Sequence, residues 1–280
     1  MSRKLFKVTY LKEICKQYGF SPSKKYGQNF LIQEWPIKKI LEAAGVTKKD
    51  TVIEIGPGFG ILTFALAERA GHVIAFEIEK KLESYWKEII NKEINGDKIE
   101  MKWGNALNNL SLITYHLSSY KVVANLPYQI TSQVLRTLLE LENKPESITI
   151  MVQKEVAERI CACPPNMSLL AVSVQYYGQP KIMAKISRGN FWPEPKVDSS
   201  ILVIRRISKI SILSSERFFQ VVRTGFANKR KQLHKNLAVG LKIDDEKIKN
   251  ILLDICDNEK ARAEELSLGQ WRELVKKLEI

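Results

Sequence analysis

Residues that bind metals or form disulfides are scarce in this chain. Four cysteines (Cys15, Cys161, Cys163, Cys256) and three histidines (His72, His116, His234) are scattered over 280 residues. The cysteines follow no disulfide framework. Cys161-Ala-Cys163 is tighter than a usual zinc pair and has no second pair to complete it. Free thiols in a reducing compartment and no metal site are therefore expected. No apolar run is long enough to span a bilayer, and the basic N-terminus lacks the apolar core of a signal peptide. These absences argue against a disulfide scaffold and a membrane protein, and they predict a cytoplasmic protein. Internal repeats and low-complexity tracts are lacking too. The composition, 45% hydrophobic and 27% charged, is that of an ordinary globular chain, with length enough for one large domain and a small one.

Acid is also in short supply. Lys and Arg number 44 against 31 Asp and Glu, a net charge of +13. The excess is not spread evenly. Residues 1–30 hold seven Lys/Arg and one acid, so +6, and residues 181–235 hold thirteen and three, so +10. Those two segments exceed the total, which leaves −3 for the rest. Two basic blocks around a nearly neutral body fit a phosphate backbone as partner.

What the chain does have is an alternation of strand and helix patterns. Strands are expected at Val52–Ile55, His72–Phe76, Ile99–Trp103, Lys121–Ala124 and Ile148–Gln153, with late strands at Leu169–Tyr177 and Ser199–Arg206. Helices are expected near Leu11–Tyr18, Trp35–Ala44, Gly60–Arg69, Lys80–Lys92, Ser132–Leu141 and Glu155–Cys161. Such alternation makes an open, mostly parallel sheet with helices on both faces, a Rossmann-like α/β domain. After residue 207 only helical spacing remains. Phe218, Phe219, Val222 and Phe226 share one face, as do Ile248, Ile251, Leu252 and Ile255, and Leu268, Trp271, Val275 and Leu278. The expected division is 1–207, with a basic N-terminal arm, and a small all-helical domain at 208–280.

The stretch Thr51-Val-Ile-Glu-Ile-Gly-Pro-Gly-Phe-Gly60 is a strand, a glycine turn and the start of a helix. This order opens nucleotide-binding βαβ units. Gly56, Gly58 and Gly60 let backbone approach a ligand where a Cβ would clash. The spacing is G-x-G-x-G rather than G-x-G-x-x-G, and Glu54 sits two residues before the first glycine. That form suits a nucleoside with an amino-acid tail, S-adenosylmethionine, better than NAD. Ligands of open α/β sheets bind at the carboxyl ends of the strands. Glu77, Asn105 and Asn125 join the glycines there. Glu77 is placed to accept from the ribose hydroxyls, and Asn105 to present an amide to an adenine edge.

Asn125-Leu-Pro-Tyr128 carries the sharpest chemical signal. An amine on a purine ring is a poor nucleophile because its lone pair is delocalised. Two acceptors on its hydrogens return electron density to nitrogen. The Asn125 side-chain oxygen and the Pro127 carbonyl are spaced for that, and proline fixes where its carbonyl points. Tyr128 offers a flat face for a base.

These motifs, in this order, resemble those of the S-adenosylmethionine-dependent rRNA adenine dimethyltransferases of the KsgA family. Gly27-Gln-Asn-Phe-Leu31 resembles the family's N-terminal cofactor motif, and Glu54-Ile-Gly-Pro-Gly-Phe-Gly60 its glycine loop. Gly104-Asn-Ala-Leu107 stands where the family usually has Gly-Asp-Ala-Leu. Asn125-Leu-Pro-Tyr128 matches its catalytic motif, followed by Gln153-Lys-Glu-Val-Ala157. Phe191-Trp-Pro-Glu-Pro-Lys-Val-Asp-Ser199 resembles its late aromatic loop, and Phe226-Ala-Asn-Lys-Arg-Lys-Gln-Leu233 with Asn236-Leu237 its helical-domain signature. The resemblance runs almost end to end.

The resemblance implies that Asn29, Leu31, Gly56, Glu77, Asn105 and Asn125 line a cofactor site. It implies that Asn125, Pro127 and Tyr128 hold the target adenine, with Phe191 stacked on it. The implied reaction is in-line methyl transfer to the 6-amino nitrogen, twice, on adenosines of small-subunit rRNA in an immature small ribosomal subunit. The cations expected on RNA include Lys24, Lys25, Arg223, Lys229, Arg230 and Lys231. A monomer is expected. Asn105 departs from the family aspartate: an amide oxygen still accepts but carries no charge, a loss on the order of 1 kcal/mol in cofactor binding. Two related readings compete, a large-subunit rRNA methyltransferase of the macrolide-resistance type and a mainly non-catalytic ribosome-assembly factor. The Lys229-Arg-Lys-Gln-Leu233 run favours the small-subunit side over the first. The intact Asn-Leu-Pro-Tyr argues against the second. A small-molecule methyltransferase would not need the charge blocks.

Overall fold

The computed structural model describes residues 3–23, 27–208 and 212–278. The chain divides into two compact units, Met1–Ala157 with Gln179–Ile207, and Glu158–Gly178 with Ser208–Ile280.

Nine strands occur among the described residues of the first unit: β1 Phe30–Leu31, β2 Thr51–Ile55, β3 His72–Glu77, β4 Ile99–Trp103, β5 Lys121–Asn125, β6 Ser147–Gln153, β7 Gln179–Ile186, β8 Phe191–Trp192 and β9 Ser199–Arg205. Seven of them form one sheet in the order β4-β3-β2-β5-β6-β9-β7. The run from β4 through β6 is parallel. β9 then pairs antiparallel with both β6 and β7. The chain works outward from β2 to β4 on one side, then crosses to β5 and β6 on the other. The carboxyl ends of β2 and β5 thus flank the point where the order reverses, which is where open α/β sheets bind ligands. β1 and β8 make a separate antiparallel pair, with Leu31 opposite Phe191.

The central strands read as apolar runs because helices cover both faces. Val52 and Ile53 are fully buried, as are Val122, Val123 and Ala124. Helices α1 Val8–Gln17, α2 Glu34–Ala44, α3 Ile61–Ala67, α4 Glu83–Ile90, α5 Ala106–Tyr115 and α6 Thr131–Glu140 supply that cover. All seven residues of α3 are buried, so its apolar character extends right round. Helix α7, Lys154–Ile160, follows β6.

The second unit is helical among its described residues: α8 Leu169–Tyr177, α9 Ile212–Gly225, α10 Leu233–Leu241, α11 Asp245–Cys256 and α12 Leu268–Leu278. Its core is aromatic. Tyr176 stacks on Phe218 at 4.3 Å and Tyr177 on Phe219 at 5.6 Å between ring centroids. The Arg272 guanidinium lies 5.3 Å over the Tyr176 ring and donates to the Tyr176 carbonyl.

Leu169–Tyr177, expected as a strand, is therefore a helix. The Ser168 hydroxyl caps it by accepting from the Ala171 amide at 3.1 Å. An apolar run this short has no decisive period, and the cap settles it. Three further elements differ from expectation. Gln179–Ile186 is an edge strand and Ala106–Tyr115 a helix, neither anticipated. The segment expected as one helix from Lys80 begins as a 3-10 turn, Lys80–Leu82, before α4.

Gly225, the last residue of α9, gives the packing a direct test. A Cβ there would lie 2.5 Å from the Trp271 ring and 2.7 Å from Leu233 Cδ1. Helix propensity alone favours Gly225→Ala by about 1 kcal/mol. Overpacking against the fully buried Trp271 outweighs that, and we expect a net loss of about 1–3 kcal/mol. Urea unfolding of the variant measures it, and a stabilised variant would contradict the packing described.

Candidate active site

The site is built around the loop between β2 and α3. Three contacts fix Gly58. Its amide donates to Glu77 Oε2 at 3.0 Å, and its carbonyl accepts from Trp86 Nε1 at 2.9 Å. A Cβ on it would lie 2.7 Å from the Phe30 ring, and its φ is +55°. Only glycine meets both conditions. The next carbonyl, of Phe59, accepts from the Tyr85 hydroxyl at 2.8 Å. Phe59 itself turns inward, 1% exposed, and packs on Phe30, Phe20 and Tyr85. The loop thus shows backbone to the cleft and aromatic side chain to the core.

Two carboxylates stand at the ends of neighbouring strands. Glu77, 3% exposed, accepts from Gly58 N through Oε2 and from Glu79 N through Oε1, the latter at 2.8 Å. Each oxygen keeps a second lone pair, so the group is oriented and still able to accept from two hydroxyls. Burial raises its pKa, against the pull of the backbone amides. Glu54 is 1% exposed, and its Oε2 has no hydrogen-bond partner among the described residues. Burial pushes its pKa up to about 8, and the neighbouring Glu77 charge adds to the shift.

The end of β5 supplies the third component. Asn125 Nδ2 donates to the Asn29 carbonyl at 3.3 Å. That contact commits the nitrogen of the amide and leaves its oxygen as an acceptor. The Pro127 carbonyl already accepts from Ile130 N at 3.2 Å, closing a 3-10 turn. The Leu126 carbonyl accepts no hydrogen bond among the described residues. The Tyr128 hydroxyl pairs with Ser199 Oγ at 2.7 Å, and burial raises its pKa. Phe191, 3% exposed, reaches the site because β8 pairs with β1.

Asn29, Leu31, Glu54, Gly56, Gly58, Glu77, Asn125, Pro127, Tyr128 and Phe191 all line one cleft. Two expected residues, Gly60 and Asn105, are not among those that line it. Gly60 caps α3, where a Cβ would strike Phe64 and Trp86. Asn105 caps α5, its Oδ1 accepting from Leu107 N at 3.1 Å. Lys24 and Lys25 lie outside the described residues. Arg223, Lys229, Arg230 and Lys231 belong to the second unit and are exposed. The loop carrying the last three is tied by Asn236, whose Nδ2 donates to the Gly225 carbonyl at 2.7 Å and the Asn228 carbonyl at 3.0 Å. Sequence reasoning missed Leu126 and Ile78. Ile78 lines the cleft while 46% exposed, and its only signal was an apolar residue one step past the strand-end Glu77. Among the described residues, no group of three or more His, Cys, Asp or Glu could hold a metal ion. No described helix is long and apolar enough to cross a membrane.

With this geometry in hand, comparisons identify relatives along most of the chain. A family model described as "Ribosomal RNA adenine dimethylase" matches residues 19–279. A protein of Dehalococcoides mccartyi named "Ribosomal RNA small subunit methyltransferase A" is 40% identical over 274 residues, covering 94% of this chain and 90% of that one. One of the same name from Clostridium botulinum is 41% identical over 268 residues, covering 94% and 96%. Among solved structures, a dimethyladenosine transferase from Plasmodium falciparum superposes with a TM-score of 0.73 at 26% identity, covering 87% of this chain and 95% of that one. The 23S rRNA methyltransferase ErmE gives 0.71 at 26% identity, covering 90% and 100%.

Glu54 makes the site's stability pH-dependent. Its folded pKa of about 8 lies above its ordinary value of 4.5. The stabilisation from that bound proton is full below the unfolded pKa and is lost as pH rises through the folded one. Glu54→Gln, neutral at every pH, should therefore be more stable than the wild type at pH 8 in ligand-free protein, by a few kcal/mol in order of magnitude, and melt higher. The advantage should vanish toward pH 5. Parallel melting curves at both pH values would refute the assignment.

Proposed function

The chain belongs to the ribosomal RNA adenine dimethylase family, and we propose that the cleft at the carboxyl ends of β2, β3 and β5 performs that family's reaction. The protein is an enzyme, a methyltransferase that uses S-adenosylmethionine to dimethylate the 6-amino group of adenosine in small-subunit rRNA. The cofactor supplies a methyl group on a sulfonium, already a good leaving group.

The residues present fit such a cofactor. The Gly56–Gly58 backbone is bare toward the cleft, Glu77 is oriented to accept from two hydroxyls, and Glu54 holds a buried oxygen without a protein partner. Asn29, Leu31, Glu54, Gly56, Gly58, Glu77 and Asn125 would hold it. Gly60 contributes by shaping the loop. Asn105 acts through its cap. Because Oδ1 receives the Leu107 amide, it keeps one lone pair beside the Nδ2 donor, whereas an aspartate would offer a second, charged oxygen.

The observation that carries the reading is the Asn125 amide, nitrogen committed to Asn29 and oxygen left to accept. The oxygen takes one hydrogen of the target amine. The second acceptor is a carbonyl of the same turn. Pro127 keeps one lone pair beside its bond to Ile130, and the Leu126 carbonyl next to it keeps both. Pro127 then fixes the turn, Tyr128 is held by Ser199, and Phe191 packs on the base. The ring amine sheds its proton to water once methylated, so the chain needs no strong base. Orientation and placed acceptors do the work.

The finer reading extends to the partner. The target is a loop or other single-stranded element of an immature small subunit, because the base must leave its stack. The helical segment 208–280, through Arg223, Lys229, Arg230 and Lys231, and the arm with Lys24 and Lys25 grip its phosphates, so binding weakens with salt. The enzyme works as a cytoplasmic monomer on two adjacent adenosines.

Immature small subunits lacking dimethyladenosine, with radiolabelled-methyl S-adenosylmethionine, test this. Wild-type protein should place label in dimethyladenosine of small-subunit rRNA, and Asn125→Ala should lower the rate by at least about 100-fold. Label only on large-subunit rRNA supplied in parallel would move the target, and binding without label would leave an assembly factor. In the same system Asn105→Asp should tighten cofactor binding about fivefold, the value of a charge-assisted bond over a neutral one. Calorimetric titration reads this, and an unchanged Kd would place Asn105 outside cofactor recognition.

A further inference from the structure

Of the five tryptophans, Trp35 alone is exposed, at 42%. Trp86 and Trp271 are buried, and Trp103 and Trp192 half-buried. An indole in water is uncommon on a surface that needs it for nothing else. This one is also held in place. Its Nε1 donates to Asn190 Oδ1 at 2.9 Å. Asn190 is in turn fixed by Nδ2 and its own amide, both donating to the Ser187 carbonyl at 2.8 and 3.0 Å. The Asn190 carbonyl accepts from Ile32 N at 2.9 Å. The Trp35 ring is therefore tied to a backbone bridge between Ile32 and Asn190. The neighbours of that bridge in the chain, Leu31 and Phe191, face each other across the β1–β8 pair and line the cleft. Trp35 is not among the lining residues, so it stands outside the cleft beside its wall.

We infer that Trp35 is a stacking platform for a nucleotide next to the target adenosine. The inference rests on the proposed RNA substrate. A target base turned out of a single-stranded element brings its two neighbours to the mouth of the cleft, with faces exposed. Unstacked RNA bases are commonly met by aromatic side chains, and such stacking tolerates any base because each has a π-face. A ring pre-oriented by a hydrogen bond loses little entropy on binding. The tether through Asn190 to Phe191 would keep the platform and the wall of the target site in fixed relation. Trp35 is in this sense a positioning residue.

Two measurements on immature small subunits decide it. In the first, Trp35 is replaced by the photoreactive p-benzoylphenylalanine, and crosslinks are mapped by reverse transcription. A crosslink within two or so nucleotides of the methylated adenosine is expected. A crosslink to distant rRNA or to a ribosomal protein, or none, overturns the inference. In the second, Trp35→Ala should raise the KM for subunits roughly tenfold, the loss of one stacked base, while Trp35→Phe stays near wild type. The Kd for S-adenosylmethionine should be unchanged in both, and any fall in melting temperature should be the same in both, since each variant loses the Nε1–Asn190 bond. An unchanged KM in Trp35→Ala, or a loss shared equally with cofactor binding, would make the residue structural. The two readings fail separately. Wild-type methylation without an adjacent crosslink removes only the platform, whereas absence of methylation by wild-type protein removes the proposed function itself.

Discussion

Gly58 is held at every point where a glycine can be held, and the site depends on it. The Glu77 carboxylate takes its amide, the Trp86 indole takes its carbonyl, and the Phe30 ring fills the space a side chain would need. Those three partners come from three separate segments, the end of β3, helix α4 and strand β1. Clamping one residue therefore brings the strand-end acid, the crossover helix and the N-terminal motif into fixed relation. Phe59 completes the clamp from below, with its carbonyl on Tyr85 and its ring in the aromatic core. A loop that must present bare backbone to a ligand cannot stabilise itself through its own side chains facing that ligand. Here neighbouring aromatics stabilise it from behind.

The same arrangement leaves two carboxyls buried side by side. Burial raises the pKa of both, and the Glu77 charge raises that of Glu54 further. For folding alone this is a poor use of two acids. For the proposed cofactor site Glu77 is preorganised, since a carboxylate already desolvated and oriented by two amides needs no rearrangement on binding. At the far side of the cleft the Asn125 amide is handled the same way, with one end spent on Asn29 so that the other is fixed.

Much of this was legible in the sequence, for reasons that differ from element to element. The glycine turn was legible because a strand, three closely spaced glycines and a helix have few other uses. Asn125-Leu-Pro-Tyr128 was legible because its chemistry is local. The strand assignment for Leu169–Tyr177 was wrong because a short apolar run carries no period, and only the Ser168 cap and the stacking of Tyr176 and Tyr177 on α9 decide for helix. Edge strand β7 was missed because an edge needs no continuous apolar run, and its residues alternate toward solvent. The Pro127 carbonyl was the obvious acceptor by spacing, and only the folded turn shows that it shares its lone pairs with Ile130 N.

By itself the sequence determined the chemistry and the local conformations: which residues could accept, which could bend, and where strands hand over to helices. These follow from side-chain type and from spacing within about ten residues. The tertiary structure alone decided which of them meet. Leu31 reaches Phe191 only through an antiparallel pair between segments far apart in the chain, and Trp35 reaches Asn190 by the same closure. It also set Gly60 against Phe64 and Trp86, and put Asn105 at a helix cap. Long-range pairing depends on packing summed over the whole core, and no local pattern encodes it.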